Sequence, residues 1–357
     1  MDIIEIKSHS KNYKVVFDTQ LTNLQHYVID LSCVFLIDKK VLYLYEKHFF
    51  NHIPQSQVIA IDALEENKDY YAIGKLYPLL TGLSAKKNLT IIAIGGGIIQ
   101  DIAGFIASVL YRGIRWIFIP TTLLAQADSC IGAKTSINFG TYKNLLGTFW
   151  APDEVWLSTA FLDTLSTKDF YSGIGEIVKL FLIDGEASLC KIADMATLSE
   201  KDLRNNMVEL LKQALLIKKR FIEVDEYDKG VRNILNFGHC IGHAIESVSG
   251  YTIPHGQAVT LGMIWANIVS TKLNLLTEKK QIAIYNTYLK KAHTISKNEI
   301  SFTAEQIIDA MKKDKKREGE GLAIILMDDH GSFKHMKDVK ASVITETIGI
   351  FFHTIHF

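Results

Sequence analysis

Four short apolar runs recur through the first third of the chain with helical patterns between them: CVFLID (33–38), QVIAID (57–62), LTIIAI (89–94) and IRWIFIP (114–120). Strands that are apolar along their whole length are buried on both faces, and a parallel sheet covered by helices provides that environment. The alternation therefore predicts an α/β domain built on a largely parallel sheet. From about residue 160 the texture changes to long segments of helical period, MVELLKQALLIKKRFIEV and GQAVTLGMIWANIVSTKLNLL, which predict a helical second domain. The change falls near FWAPDEVWLS, so residues 1–155 are read as the α/β domain and 156–357 as an all-α domain.

At 357 residues and 48% apolar content, the chain is long enough for two such domains with buried cores. Its 39 basic and 39 acidic residues cancel, which gives no support to nucleic-acid or membrane-surface binding. The start, MDIIEIKSHSKNYKVVFD, places acids early and lacks a continuous apolar stretch, so no secretory signal is read there. No run approaches the ~20 apolar residues of a membrane span. Cys33, Cys130, Cys190 and Cys240 are scattered without a C-x-x-C pair, which fits a reducing cytoplasm.

The stretch RNILNFGHCIGH places Arg232, Asn236, His239 and His243 at i, i+4, i+7 and i+11, one face of a single helix. A lone histidine on such a helix is more often a hydrogen-bonded core residue. Four polar groups among Ile234, Leu235, Phe237, Ile241 and Ile245 are different, because burial without partners costs a few kcal/mol each. A metal or a polar ligand would satisfy them. The H-E-x-x-H protease pattern is excluded, since Cys240 stands where its glutamate base belongs.

Three further motifs carry chemistry. In IIAIGGGIIQDIAGF an apolar strand runs through Gly95, Gly96 and Gly97 into a helix whose apolar stripe is read as Ile98, Ile102, Phe105, Ile106 and Val109. Such a turn lets backbone N–H groups approach a phosphate. Gln100 occupies the position where the usual dinucleotide fingerprint needs glycine, so the turn alone is a weak signal. Lys134 and Lys143 fall in a stretch rich in Gly, Ser, Thr and Asn that is read as an anion-holding loop. In SGIGEIVKLFLI, Glu176 and Lys179 share a helix face at i, i+3 inside an otherwise apolar helix.

Together these motifs resemble the 3-dehydroquinate synthase and wider sugar phosphate cyclase family. The resemblance runs from about Asp38 to Gly331 through GGGIIQDIAGF, RGI, PTTLLAQADSCIGAKTSIN, KNLLGTF, GEIVK, DEYDKGVRNILNFGHCIGHAIE, HGQAV and DKK. It implies an NAD-binding α/β domain, a helical domain holding a divalent metal (zinc or cobalt), and a homodimer. It makes Glu176, His239 and His255 the metal ligands, with positions left open for substrate oxygens. For NAD it implies Asp38, Gly95, Gly96, Gly97, Asp101, Thr121, Thr122, Lys143 and Thr164. Glu65 and Lys68 are added from LEENKDY, where Leu64 replaces the glycine of the family's G-E-x-x-K. Lys134, Asn144, Lys179, Lys218, Arg232, Asn236, His243 and Lys316 of the Lys315–Lys316 pair are implied as contacts to an anionic sugar phosphate. Asp128 would lie near the metal, and Arg112 would reach across the dimer.

Family chemistry implies that bound NAD+ oxidises a ring hydroxyl of a seven-carbon sugar acid phosphate, which acidifies the neighbouring C–H for phosphate elimination. The hydride then returns, and ring opening with an aldol closure gives the carbocycle. The chain departs from the family in having Ala133 after Gly132 where two glycines are usual, and Gln257 where HGE is usual. Gln100 and Cys130 are also unusual, and the terminal GIFFHTIHF is strongly apolar. Asn236 and the DKK lysines favour a carboxylated substrate over the ketose phosphates of sister cyclases. Two other readings remain open at this level. A glycerol-type dehydrogenase would share the fold but has no anion to match the lysines, and a non-catalytic binding protein would have no use for a complete ligand set.

Overall fold

The computed structural model describes residues 2–30, 32–82, 88–193, 198–313 and 321–355, apart from the side chain of Lys297. The chain divides into two compact units, residues 1–165 with 219–227, and residues 166–218 with 228–357.

The first unit holds β1 (Ile3–Ile6), β2 (Tyr13–Phe17), β3 (Cys33–Asp38), β4 (Val58–Ile61), β5 (Thr90–Gly95), β6 (Arg115–Pro120), β7 (Lys134–Phe139), β8 (Tyr142–Phe149) and β9 (Glu154–Leu157). Seven of them form one sheet in the order β1-β2-β9-β6-β5-β3-β4, antiparallel only between β1 and β2. The four apolar runs are its strands β3, β4, β5 and β6, mutually parallel as their composition predicts, with β4 at the edge. Phe35, Ile37, Ile92, Ile94, Ile117 and Ile119 share a core with Val41, Tyr45 and Phe49. On the alternate positions Leu36, Ile91 and Ala93 are equally buried, which is why these strands read as continuous rather than alternating.

After β3 the chain steps outward to the edge strand β4, then returns past β3 to β5 and continues through β6 to β9. The direction reverses between β3 and β5. In open parallel sheets a crevice opens at that point, beyond the carboxyl ends of the strands. Asp38 ends β3, Gly95 ends β5, and Thr121 and Thr122 follow β6, so the fold brings these candidate positions to one end of the sheet.

The helix after the glycines spans Gly97–Val109. Its buried stripe is Ile99, Ile102, Ala103 and Ile106 rather than the one expected, and Val109 is exposed. Small residues explain the rotation. Gly104 sits so close to Thr135 and Trp116 that an added Cβ would lie 2.7 Å from the threonine methyl, so this side of the helix is the one pressed inward. Each isoleucine buried there contributes about 1.5–3 kcal/mol.

The second unit is the helical domain expected from the sequence, and it also carries an antiparallel hairpin, β10 (Leu322–Met327) with β11 (Phe333–Val339). At its centre runs the helix His255–Lys272, buried without interruption from Gly256 to Ser270. The helices Thr167–Asp184, His239–Val248 and Ala341–Ile355 pack around it. The apolar C-terminus belongs to this core: Phe351 stacks on Trp265 at 4.7 Å, and the Trp265 indole donates to Thr347 Oγ1 at 2.9 Å. Among the described residues, no helix is long and apolar enough to cross a membrane.

Candidate active site

In the second unit three helix segments meet through glycines. A Cβ on Gly256 would lie 1.8 Å from the Ser172 carbonyl oxygen, and one on Gly175 would lie 2.3 Å from that of Gly256. A Cβ on Gly262 would lie 2.1 Å from the Gly238 carbonyl oxygen. Only glycine permits such contacts. The neighbours of these glycines are Glu176, His255 and His239, so the close crossings carry those three side chains to one point.

Glu176 is fully buried, and its Oε1 stands 3.5 Å from His255 Nε2 and 3.7 Å from His239 Nε2. Its Oε1 accepts no hydrogen bond among the described residues, while Oε2 meets the buried Lys179 ammonium. An orphaned buried carboxylate oxygen facing two imidazole nitrogens is costly unless a cation lies between them. Donors bound to one ion at about 2.0–2.1 Å in a tetrahedron stand roughly 3.4 Å apart, so the observed separations fit a divalent metal. His243 belongs to the same cluster: the ligand atoms of His239, His243 and His255 lie within 4.8 Å of one another. The structure thus gathers all four residues.

The electrostatics act in opposite directions on the two imidazoles. Burial, the Lys179 charge and the neighbouring imidazoles hold the His239 pKa well below that of a free histidine, which keeps it neutral. Burial also pulls His255 down, but the hydrogen bond and charge of Glu246, with Glu176, outweigh it and raise its pKa. Glu246 Oε2 lies 2.9 Å from His255 Nδ1, so Nδ1 carries the proton and Nε2 faces Glu176. The motif reading missed Glu246, although His239, His243 and Glu246 follow one another at i, i+4 and i+7 on one helix.

The single helix expected for Arg232, Asn236, His239 and His243 is corrected. Val231–Asn236 is a 3-10 turn, Gly238 is left-handed with φ 79°, and the helix begins at His239. Glycine is required at the break, because a Cβ on Gly238 would lie 2.6 Å from the Val259 carbonyl oxygen and φ is positive there. Arg232, Lys218 and Lys179 are all buried, at 4%, 6% and 1% exposure. Asn236 donates to the Asn233 carbonyl at 3.1 Å. Lys315 and Lys316 lie outside the described residues.

In the first unit the glycine turn forms a cradle. A Cβ on Gly95 would collide with Ile99 at 2.4 Å and one on Gly96 would press on Thr122 at 3.0 Å, whereas nothing lies within 4 Å above Gly97. No side chain caps this helix N-terminus, so its first N–H groups fit a dinucleotide phosphate. Thr121 N donates to the Gly95 carbonyl at 2.9 Å. Asp38 caps the next helix by accepting from Lys40 N at 2.9 Å, and burial raises its pKa. Thr164 is exposed, with its hydroxyl 3.0 Å from Tyr45 Oη.

Lys134, Lys143 and Asn144 are on the β7/β8 hairpin, not on the loop expected from composition. Half-exposed polar strands lack the alternation that would identify them. Lys68 is buried and donates to Asp101 at 2.9 Å and Asn144 Oδ1 at 2.7 Å, and Glu65 Oε1 accepts from Asn138 at 2.8 Å. Four residues assigned to two ligands are thus engaged in one internal network. Asp128 lies on a π-helical turn, Ala125–Ser129. Arg112 is exposed in a left-handed conformation, φ 66°.

Comparison with known proteins identifies the family of the chain. Residues 58–172 match the N-terminal and residues 173–317 the C-terminal domain family of 3-dehydroquinate synthase. The chain is 41% identical to the 3-dehydroquinate synthase of Clostridium tetani over 280 residues, which is 76% of this chain and 74% of the relative. It is 33% identical to that of Dictyoglomus thermophilum over 354 residues, 98% of both chains. A solved 2-deoxy-scyllo-inosose synthase, complexed with carbaglucose-6-phosphate, NAD+ and Co2+, shares the fold with TM-score 0.84 at 24% identity, over 97% of this chain and 99% of that one. With the domain matches spanning most of its length, the chain belongs to the 3-dehydroquinate synthase family.

Proposed function

We propose that this chain converts 3-deoxy-D-arabino-heptulosonate 7-phosphate into 3-dehydroquinate and inorganic phosphate, as a homodimer dependent on NAD and on zinc or cobalt. The observation that carries this reading is the meeting of the orphaned Glu176 Oε1 with Nε2 of His239 and His255, in a chain of this family. When bound, NAD supplies a temporary hydride acceptor, and the ion supplies Lewis acidity toward the sugar oxygens.

The chain's own residues then bind and orient. Glu176, His239 and His255 hold the ion, and Lys179 neutralises the Oε2 side of Glu176. Lys218 and Arg232, both buried, are the cations that the family resemblance assigns to the anionic groups of the substrate. Lys134, Asn236, His243 and Lys316 complete the contacts to carboxylate and phosphate, with Asp128 beside the ring hydroxyls and Arg112 reaching a second copy. The glycine cradle, Asp38, Thr121, Thr122, Lys143 and Thr164 receive the dinucleotide. Gln257 and Gln100 turn their amides toward internal partners, so neither departure from the family pattern places a new polar group on the substrate itself.

Incubation with the substrate, NAD+ and Zn2+ should release phosphate and form 3-dehydroquinate without accumulation of NADH. Net NADH from a polyol, or phosphate release only from a sugar phosphate without a carboxylate, would overturn the assignment.

A further inference from the structure

Two consecutive residues of the helix Gly97–Val109 grip the chain on either side of Lys134. Upstream, Gln100 Nε2 donates to the Ser129 carbonyl at 2.6 Å and Gln100 Oε1 accepts from the Ser129 hydroxyl at 2.5 Å. Downstream, Asp101 accepts from Ser136 N at 2.8 Å and from the Ser136 hydroxyl at 3.2 Å. Gln100 is 5% exposed, so its amide is committed to this contact. Between the grips Gly132 has φ 109° and Ala133 has φ 60°. Alanine in the left-handed region is strained and persists only where its surroundings hold it there. A third contact steadies the same stretch: Gly132 N donates to Tyr13 Oη at 2.9 Å. Lys134 is exposed, between buried Ala133 and Thr135.

We infer that Gln100 and Asp101 form a two-point clamp that sets the direction in which Lys134 is presented. Gln100 is thus a positioning residue for anion capture, with Asp101 as the second point of the same device. The physical reason lies in the lysine itself. A flexible four-carbon side chain surrenders rotamer entropy on binding, and an unfixed backbone beneath it would add to that loss. The Ser129 grip also holds the turn that carries Asp128, whose carbonyl accepts from Cys130 N. The inference rests on Lys134 contacting the substrate anion, as proposed above.

The test compares Gln100→Leu, Ser129→Ala and the double variant in the full-length, NAD- and metal-loaded protein. The clamp predicts a rise of about tenfold in KM for the sugar phosphate, the size of one lost charge-directed contact. It predicts kcat within about threefold, an NAD Kd within about twofold, and a double variant no worse than either single one. Ser129→Thr, which keeps the hydroxyl, should restore KM. A drop in NAD affinity matching the change in KM, or additive singles, overturns the clamp. Amide exchange of residues 131–136 decides independently of turnover: exchange at least about tenfold faster in Gln100→Leu supports the clamp, and unchanged exchange overturns it. Failure of the wild type to release phosphate from any sugar phosphate would remove the proposed function, while exchange would still judge the clamp.

Discussion

Replacing Gln257 by glutamate, the residue usual in the family, should destabilise this protein, and more strongly as pH rises. Gln257 is fully buried, two residues beyond His255. Its Nε2 donates to the Lys168 carbonyl at 2.8 Å, while its Oε1 accepts from Thr294 N at 2.9 Å and the Thr294 hydroxyl at 3.1 Å. The amide thereby joins the helix carrying Glu176, the helix carrying His255 and the segment at Thr294. A glutamate keeps the Thr294 bonds but turns its second oxygen toward the Lys168 carbonyl. If it stays ionised, it loses a hydrogen bond worth about 1 kcal/mol and buries a charged oxygen against another acceptor, at a cost of several kcal/mol more. If it takes up a proton instead, the cost is about 1.4 kcal/mol per pH unit above its unfolded pKa of about 4.3, or about 3.7 kcal/mol at pH 7. The cheaper route sets the penalty, so we expect about 2–4 kcal/mol at pH 7. The sign follows from linkage. The folded state holds the proton above pH 4.3 while the unfolded state releases it, so stability falls as pH rises through the folded pKa. Calorimetry of Gln257→Glu against wild type should show a midpoint lowered by roughly 5–15 °C at pH 8, given about 2–4 °C per kcal/mol for a unit of this size, and by little at pH 4.5. Equal midpoints at pH 8, or a deficit independent of pH, would refute the argument that this pocket is wired for an amide.

Glu246→Ala should weaken divalent metal binding about 10–100-fold in competition with a chromophoric chelator, because the 2.9 Å bond that orients His255 is lost; unchanged affinity would remove Glu246 from the site. Burial lowers the His293 pKa from 6.5 to about 4, so the unfolded chain binds its proton first and stability is lost as pH falls between those values. His293→Phe should recover up to about 3 kcal/mol of that acid loss, read as a smaller decline in the unfolding midpoint from pH 6.5 to 4. Lys134→Ala and Arg232→Ala should each reduce kcat/KM at least about tenfold. Only Arg232→Ala should also lower the melting temperature, since Arg232 is buried and Lys134 is exposed. Wild-type kinetics in either variant would exclude that residue from the site.

The parallel sheet was legible because its central strands are apolar on both faces, and the helix Met207–Val224 because its period is unbroken. The break at Gly238 was not. Spacing counts residues and is blind to φ, and what requires glycine there is the approach of Val259 and Met263, far along the chain. The β7/β8 hairpin was hidden by its polar, half-exposed composition. The metal ligands were placed by family resemblance, yet a physical signal was present in the pairs Gly175–Glu176, Gly238–His239 and His255–Gly256. Glycines beside potential ligands mark helices whose backbones touch, and side chains next to such contacts converge. That signal would have found the cluster, though not Glu246, whose role depends on which imidazole nitrogen it meets.

A departure from a family pattern changes specificity only if its polar atoms point at the ligand, and the structure lets this be judged one position at a time. The amides of Gln100 and Gln257 each make complementary hydrogen bonds inside their own unit, so replacing them perturbs geometry and stability first. The residues available to a ligand are of another kind. Lys134, Lys143 and His243 are exposed, and the Glu176 oxygen facing the histidines has no hydrogen-bond partner among the described residues. On the proposed assignment, selection of a carboxylated over a non-carboxylated sugar phosphate is tested first at the buried cations Lys218 and Arg232. Substituting them by neutral residues of similar size should narrow the preference for the carboxylate, whereas Gln100 and Gln257 variants should leave the ratio between the two substrate classes unchanged.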